Sequence, residues 1–137
     1  MCRLWPLVND KELVMLPTQA DIDALIGFLP QLYPNGVPIE AYTFKEPHPW
    51  PIYAKVVDDF YEEARKDCWL DIDYRSTADR LLSEPGAIEQ ASLAQLQSLV
   101  TYYVRGERFC DGHWGAMIAK GYVQRLLTRL AQLREAM

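Results

Sequence analysis

The sequence of 137 residues contains few cysteines, and no two of them are closely spaced. Cys2, Cys68 and Cys110 are odd in number and far apart, which argues against a disulfide framework and fits reduced thiols. A structural zinc site normally takes four ligands from two close pairs, and Cys110-x-x-His113 supplies one pair only. We therefore expect folding to need neither a metal ion nor a disulfide, and no cofactor is indicated.

Long hydrophobic runs are also missing. The longest charge-free apolar stretch, residues 24–39, is shorter than a membrane span and contains Pro30, Pro34 and Pro38. The first residues lack the uninterrupted apolar segment of a secretion signal, because Pro6 and nearby charges interrupt them. We therefore expect a soluble cytoplasmic protein that does not contact the membrane.

The composition is that of an ordinary globular domain, with 50% hydrophobic and 24% charged residues, but the charge is uneven. Residues 1–100 carry 8 Lys and Arg against 16 Asp and Glu, whereas residues 101–137 carry 6 against 3. This asymmetry indicates a basic face for an acidic ligand, two parts of one fold that attract each other, or a mixed solvated surface.

The spacing of apolar residues predicts a single all-α domain, residues 1–137, with five to seven helices and at most one minor pair of strands. Residues 1–50 are predicted to be irregular and proline-rich with one helix. Residues 51–137 are predicted to form the helical core. We expect a second copy of the chain as a partner, in a homodimer.

Local signals predict where several elements begin. Thr18 and Ser92 each precede an acid or amide by three residues, the spacing of a capping box at a helix start. Pro51 suits the first position of a strongly amphipathic helix. The weak alternation of residues 40–44 predicts a short edge strand.

The segment richest in reactive side chains is residues 105–114, with the sequence RGERFCDGHW. Its candidate ligand-binding or structural residues are Arg105, Glu107, Arg108, Asp111, His113 and Trp114. Catalysis by Cys110 with His113 as base would need a third residue that orients the histidine, and none is identifiable. We therefore predict no catalytic residue and no metal ligand in this segment.

Two other interpretations of the segment stay open. The guanidinium groups of Arg105 and Arg108 suit a phosphate or carboxylate; nucleic acid is not expected, because the chain is acidic overall and has no basic run. Alternatively the segment is a structural corner, in which Asp111 caps the next helix and His113 forms a hydrogen bond. One of the arginines would then pair with an acid of this chain. The structural interpretation requires the fewest assumptions.

The segment also has an R-x-x-R-F-x-[DE]-G-H pattern, followed by a helix, a glycine and a closing helix rich in leucine and arginine. The pattern is carried by Arg105, Arg108, Phe109, Gly112, His113 and Gly121. In these features the chain resembles a prokaryotic family of unknown function, over about residues 52–133. The resemblance implies a helical fold, and it implies no activity or catalytic residue.

Two classes of function follow from these observations. We expect a helical domain that binds a partner protein or a small ligand, without catalysis. The alternative is an enzyme or a nucleic-acid-associated factor that uses residues 105–114. Seven aromatic residues are candidates either for the core and its rim or for a shallow ligand groove with arginines at its mouth: Trp50, Tyr53, Trp69, Tyr74, Tyr102, Tyr103 and Trp114.

Overall fold

Helices dominate the computed structural model, which describes residues 16–137. The elements are α1 (Gln19–Ile26), α2 (Leu29–Leu32), β1 (Tyr42–Thr43), β2 (Ile52–Tyr53), α3 (Lys55–Ala64), α4 (Arg75–Ser83), α5 (Leu93–Gly106), α6 (His113–Ala119) and α7 (Tyr122–Glu135). Short 3-10 turns lie at Pro34–Gly36, Asp67–Trp69 and Ile88–Gln90. The predicted single all-α domain with one minor strand pair is confirmed. Cys2 and the N-terminal residues on which the expected lack of a secretion signal depends lie outside the described residues.

Helix α5 forms the centre of the core. Its apolar face buries Leu96, Leu99, Val100 and Tyr103, and helices α3, α4, α6 and α7 pack against it. Helix α7 contributes a second apolar stripe that also packs on α1. Removing this much apolar surface from water is the main stabilising term for a domain of this size. Within the described residues, no helix is both long enough and apolar enough to cross a membrane.

The two predicted capping boxes are confirmed, and the predicted start of α3 is wrong. The side chains of Thr18 and Ser92 each accept a hydrogen bond from the backbone N–H three residues on, and the side chain of that residue accepts one from the N–H of Thr18 or Ser92. The helix predicted to begin at Pro51 begins at Lys55. The residues between them form β2, which pairs antiparallel with β1, with Tyr53 opposite Tyr42. Pairing with a distant strand therefore overrides the local helical preference.

Three polar side chains on α5 are buried, and all three bind the segment that leads into α4, where Gln97 donates to the Cys68 carbonyl at 2.8 Å. The Thr101 hydroxyl donates to the Trp69 carbonyl at 3.0 Å and accepts from the Asp71 N–H at 2.9 Å. The Ser98 hydroxyl donates to the Asp71 carboxylate. Buried polar groups of this kind are costly unless they are paired, so the bonds fix the loop and the position of Tyr74 behind it.

The basic C-terminal part and the acidic remainder of the chain are joined through α7. Arg125 forms a two-pronged pair with Glu89, with Nε–Oε2 and Nη2–Oε1 distances of 2.6 and 2.8 Å. Arg134 pairs with Asp23 of α1 at 2.8 Å. The charge asymmetry therefore corresponds, at least at these two ion pairs, to attraction between two parts of one fold. Both pairs involve arginines of α7.

Candidate functional site

Residues 105–114 form the end of α5 and the turn into α6. Glu107 ends α5 with helical backbone angles, and the chain then turns through hydrogen bonds from the N–H groups of Phe109 and Cys110 to the Gly106 carbonyl. Gly112 has a φ of 88°, a left-handed conformation in which any other residue would be strained. The reversal places the start of α6 directly against the end of α5.

The carboxylate of Glu107 caps α6 at the centre of this corner. Its Oε2 accepts from the Gly112 N–H at 2.8 Å, and its Oε1 accepts from the Trp114 N–H and the Tyr53 hydroxyl, both at 2.9 Å. A carboxylate suits this position because the first N–H groups of a helix lack partners within the helix. The predicted cap by Asp111 is wrong, since Gly112 occupies the N-cap position and the Asp111 side chain is exposed.

Tyr53 joins the strand pair to the corner, and sequence reasoning missed this role. Its hydroxyl donates to Glu107 and accepts from the Gly115 N–H at 3.3 Å. Burial is the largest cause that raises the pKa of Tyr53, and the hydrogen bond to the Glu107 carboxylate raises it further. The phenol therefore keeps its proton and remains a donor at neutral pH.

Two glycines allow aromatic rings to lie against the backbone. A Cβ atom on Gly106 would fall 2.2 Å from the Cδ2 and Nε2 atoms of the His113 ring. A Cβ atom on Gly115 would fall 2.4 Å from Cε1 of Tyr42. Both positions therefore require glycine for packing, although neither has an unusual φ.

His113 is turned inward and half-buried. Its ring meets the edge of Tyr102, with centroids 4.9 Å apart, and its Nε2 atom is buried without a hydrogen-bond partner among the described residues. Burial lowers the pKa of His113, while the backbone of Tyr102 and the charge of Glu107 oppose this shift. The imidazole is therefore neutral at neutral pH, and its Nε2 atom is shielded from solvent.

Trp114 anchors α6 in an aromatic cluster. Its ring contacts those of Tyr61 and Tyr53 at centroid distances of 4.5 and 5.0 Å, and stacks on that of Tyr103 at 6.1 Å. The indole N–H donates to the Val104 carbonyl at 3.4 Å. These contacts give the tryptophan a structural role in the corner.

Arg105 lies on the outer side of the segment, which is the side next to Tyr74 and α4. Its guanidinium is 5.8 Å from the centre of the Tyr74 ring, and the guanidinium of Arg75 is 5.7 Å from the centre of the same ring. Arg108 is exposed. The predicted ion pair between Arg105 or Arg108 and an acid of this chain is not found within residues 16–137, where the ion pairs involve other residues.

A surface groove of about 350 Å³ opens on this outer side, between α4 and the end of α5. Phe109 projects at its edge with 75% of its surface exposed, and the guanidinium of Arg75 lies 6.0 Å from the centre of that ring. The groove is lined by Tyr74, Arg75, Asp79, Tyr102, Gly106, Phe109, Cys110 and His113. Sequence reasoning missed Arg75 and Asp79, which reach the segment only through the packing of α4 on α5.

The thiols and carboxylates of the described residues form no metal-binding cluster of three or more side chains. The sulfur of Cys110 is exposed and contacts the Asp111 carbonyl at 3.8 Å. Cys68 is half-buried, and burial raises the pKa of its thiol to about 11. Lys66 favours the Cys68 thiolate, but burial outweighs its effect.

Comparison with known proteins gives one match. The model of a protein family described as "Family of unknown function (DUF6508)" matches residues 17–136. The predicted resemblance to a family of unknown function is thereby confirmed, and it begins farther toward the N-terminus than residue 52. No curated protein and no solved structure matches the chain.

Proposed function

The chain belongs to the DUF6508 family of unknown function, and from this premise we propose that it is a binding domain. The groove beside Phe109 takes up a small organic ligand. One observation carries the proposal: an aromatic side chain that is 75% exposed stands at the edge of a groove, with a guanidinium over its ring. Exposed aromatic surface of this kind is costly in water and is typical of contact sites.

Binding fits the geometry better than catalysis does. An enzyme built on residues 105–114 would use Glu107 and His113 as acid and base. The carboxylate of Glu107 is occupied by three donors, and Nε2 of His113 is buried. His113 lines the groove, but its buried Nε2 atom and the fully bonded Glu107 carboxylate are poorly suited to exchange a proton with a ligand there.

Other expectations from the sequence remain predictions beside this proposal. They include a homodimer, a cytoplasmic location, a prokaryotic origin and the absence of nucleic-acid binding. A protein partner is the second candidate, favoured by the exposed side chains of the strand pair and its loop. Phe44, Trp50 and Ile52 are 64%, 53% and 39% exposed there.

Titration with small aromatic compounds, followed by amide NMR spectra, tests the proposal. Benzoate, phenyl phosphate, benzamide and benzylamine share one ring and differ in their head groups. We expect at least one to shift the amide signals of Gly106, Phe109 and Cys110 saturably, with millimolar affinity, which is typical of a fragment this small.

A matched pair of variants supplies the control. Phe109→Ser should abolish these shifts, whereas Phe44→Ser removes an equally exposed phenylalanine that does not line the groove and should preserve them. The proposal fails if no compound causes saturable shifts at the groove. It also fails if Phe109→Ser binds as the unaltered protein does.

A further inference from the structure

Two guanidinium groups lie near the ring of Tyr74, a residue that lines the groove: that of Arg75, which also lines it, and that of Arg105, which lies just beyond the lining. We propose, as a refinement that rests on the binding function above, that the ligand carries an oxyanion, a carboxylate or a phosphate, bound by Arg75 and Arg105 beside Tyr74. Both guanidinium groups lie within 6 Å of the centre of the Tyr74 ring. Within residues 16–137 neither of them forms an ion pair.

Two like charges held near one point repel each other unless an anion joins them. Pairing with an acid is the usual alternative, as two arginines of α7 show. Arg125 and Arg134 are each paired with an acid at less than 3 Å. Arg75 and Arg105 instead have aromatic rings as neighbours, and such contacts orient a guanidinium while leaving its N–H groups free. An oxyanion with several acceptor atoms satisfies those groups.

The two arginines are held by separate, fixed parts of the fold. Arg75 is the first residue of α4, and Arg105 lies in the last turn of α5. Tyr74, whose ring lies near both guanidinium groups, is 6% exposed, and the loop before it is bound to α5 through Thr101. An anion that binds here meets charges already in position, so little conformational entropy is lost on binding.

The other titratable groups of the groove set the charge balance. Asp79 is the one carboxylate that lines it among the described residues. His113 contributes no charge at neutral pH, because burial lowers its pKa, and burial raises the pKa of Tyr102, which stays protonated. The lining itself holds one cation, Arg75, and one acid, and Arg105 beside Tyr74 adds a second cation next to it. Together these groups leave one net positive charge beside the aromatic edge at Phe109. The complementary ligand is an aromatic or apolar molecule with a negatively charged head group.

The four compounds named above test the refinement by their relative affinities. Benzoate and phenyl phosphate should bind at least about tenfold more tightly than benzamide, since charge-assisted hydrogen bonds are about twice as strong as neutral ones. The advantage should shrink when salt is raised to about 0.5 M, because screening weakens exposed charge interactions. The ratio of benzoate to phenyl phosphate affinity identifies which oxyanion the groove prefers.

Single substitutions locate the effect. Arg75→Gln and Arg105→Gln should each remove most of the preference for the anions and leave the affinity for benzamide unchanged. Arg108→Gln is the control, an exposed arginine of the same segment that, unlike Arg75 and Arg105, has no contact with the Tyr74 ring within the described residues. Asp79→Asn should raise the affinity for both anions, because it removes the one opposing charge. Melting curves confirm that each variant is folded.

The results separate this refinement from the binding function itself. If benzamide or benzylamine binds at Phe109 as tightly as benzoate does, the oxyanion is not recognised and the refinement is overturned, while the groove remains a binding site. An equal loss of benzamide and benzoate affinity in Arg75→Gln would also overturn the refinement. The arginine would then shape the groove without recognising the negative charge of the ligand.

Discussion

The inner and outer sides of residues 105–114 differ in how their polar groups are partnered. On the inner side, Glu107 satisfies the Gly112 and Trp114 N–H groups and the hydroxyl of Tyr53. On the outer side, Arg105 has an aromatic ring as its neighbour and no acid within the described residues. The ten residues therefore combine a structural corner on one side with the groove that we propose as a binding site on the other. The sequence shows that reactive side chains are dense here, but only the partners of each side chain distinguish the two sides.

The largest effect is expected from breaking the inner side with Glu107→Ala. The substitution leaves two backbone N–H groups and the Tyr53 hydroxyl without their acceptor. We expect a loss of about 3 kcal/mol in the free energy of unfolding, since bonds to a charged group are worth about 1.5–3 kcal/mol each and partly regained water offsets the sum. Urea unfolding followed by circular dichroism measures it.

Asp111→Ala is the matched control for this prediction. It removes a carboxylate four residues away that is exposed and caps nothing, so its effect should be within about 0.5 kcal/mol. A larger loss from Asp111→Ala than from Glu107→Ala would mean that the locally predicted cap operates after all.

A medium effect is expected where the two sides meet, at Gly106. The methyl group of Gly106→Ala would overlap the His113 ring, and overpacking of this kind costs about 1–3 kcal/mol. The control is Gly27→Ala, where an added Cβ meets nothing closer than 3.5 Å. The double variant Gly106→Ala/His113→Ala should lose less stability than the sum of the two single variants. Additive losses would show that the ring is not the obstacle.

The smallest effect calibrates what an exposed, paired arginine contributes. The hydrogen bond from Arg125 lowers the pKa of Glu89 to about 2, from an ordinary value of 4.5. A carboxylate with a lowered folded-state pKa stabilises the fold above its unfolded pKa, and this contribution disappears as the pH falls toward about 2. Both side chains are partly exposed, so it should be at most about 1 kcal/mol.

Glu89→Gln should therefore lower the free energy of unfolding at pH 6 and leave it unchanged near pH 2. Arg125→Gln should lose the same pH-dependent part, and the double variant should add little to either single one. A difference between Glu89→Gln and the unaltered protein that persists to pH 2 would contradict this account. By comparison, Arg105→Gln should change the free energy of unfolding very little, because it breaks no ion pair within the described residues.

Local signals in the sequence predicted the local structure well. The capping boxes at Thr18 and Ser92 span three residues each, so the sequence alone contains both partners. The cap of α6 could not be predicted in the same way, because Glu107 lies before the helix and one of its partners, Tyr53, is 54 residues distant.

The groove could be anticipated only in part for the same reason. Of the candidate residues in the dense segment, His113 lines it, whereas Arg75 and Asp79 join it only once α4 has packed on α5. The error at Pro51 has the same origin, since Ile52 and Tyr53 become a strand by pairing with β1. Periodicity reports what a segment prefers in isolation, and tertiary contacts decide wherever that preference is weak.

The hydroxyl of Tyr53 also has a consequence for the order in which the chain folds. Helix α6 has 7 residues, too few to persist alone in water. Its first turn depends on Glu107, and Glu107 and the Gly115 N–H both bind a tyrosine of β2. The chain between β2 and α6, which contains α3, α4 and α5, must bring its two ends together before these bonds can form. Closing this long segment costs chain entropy. Helix α6 should therefore form late, after α5 and the strand pair have met.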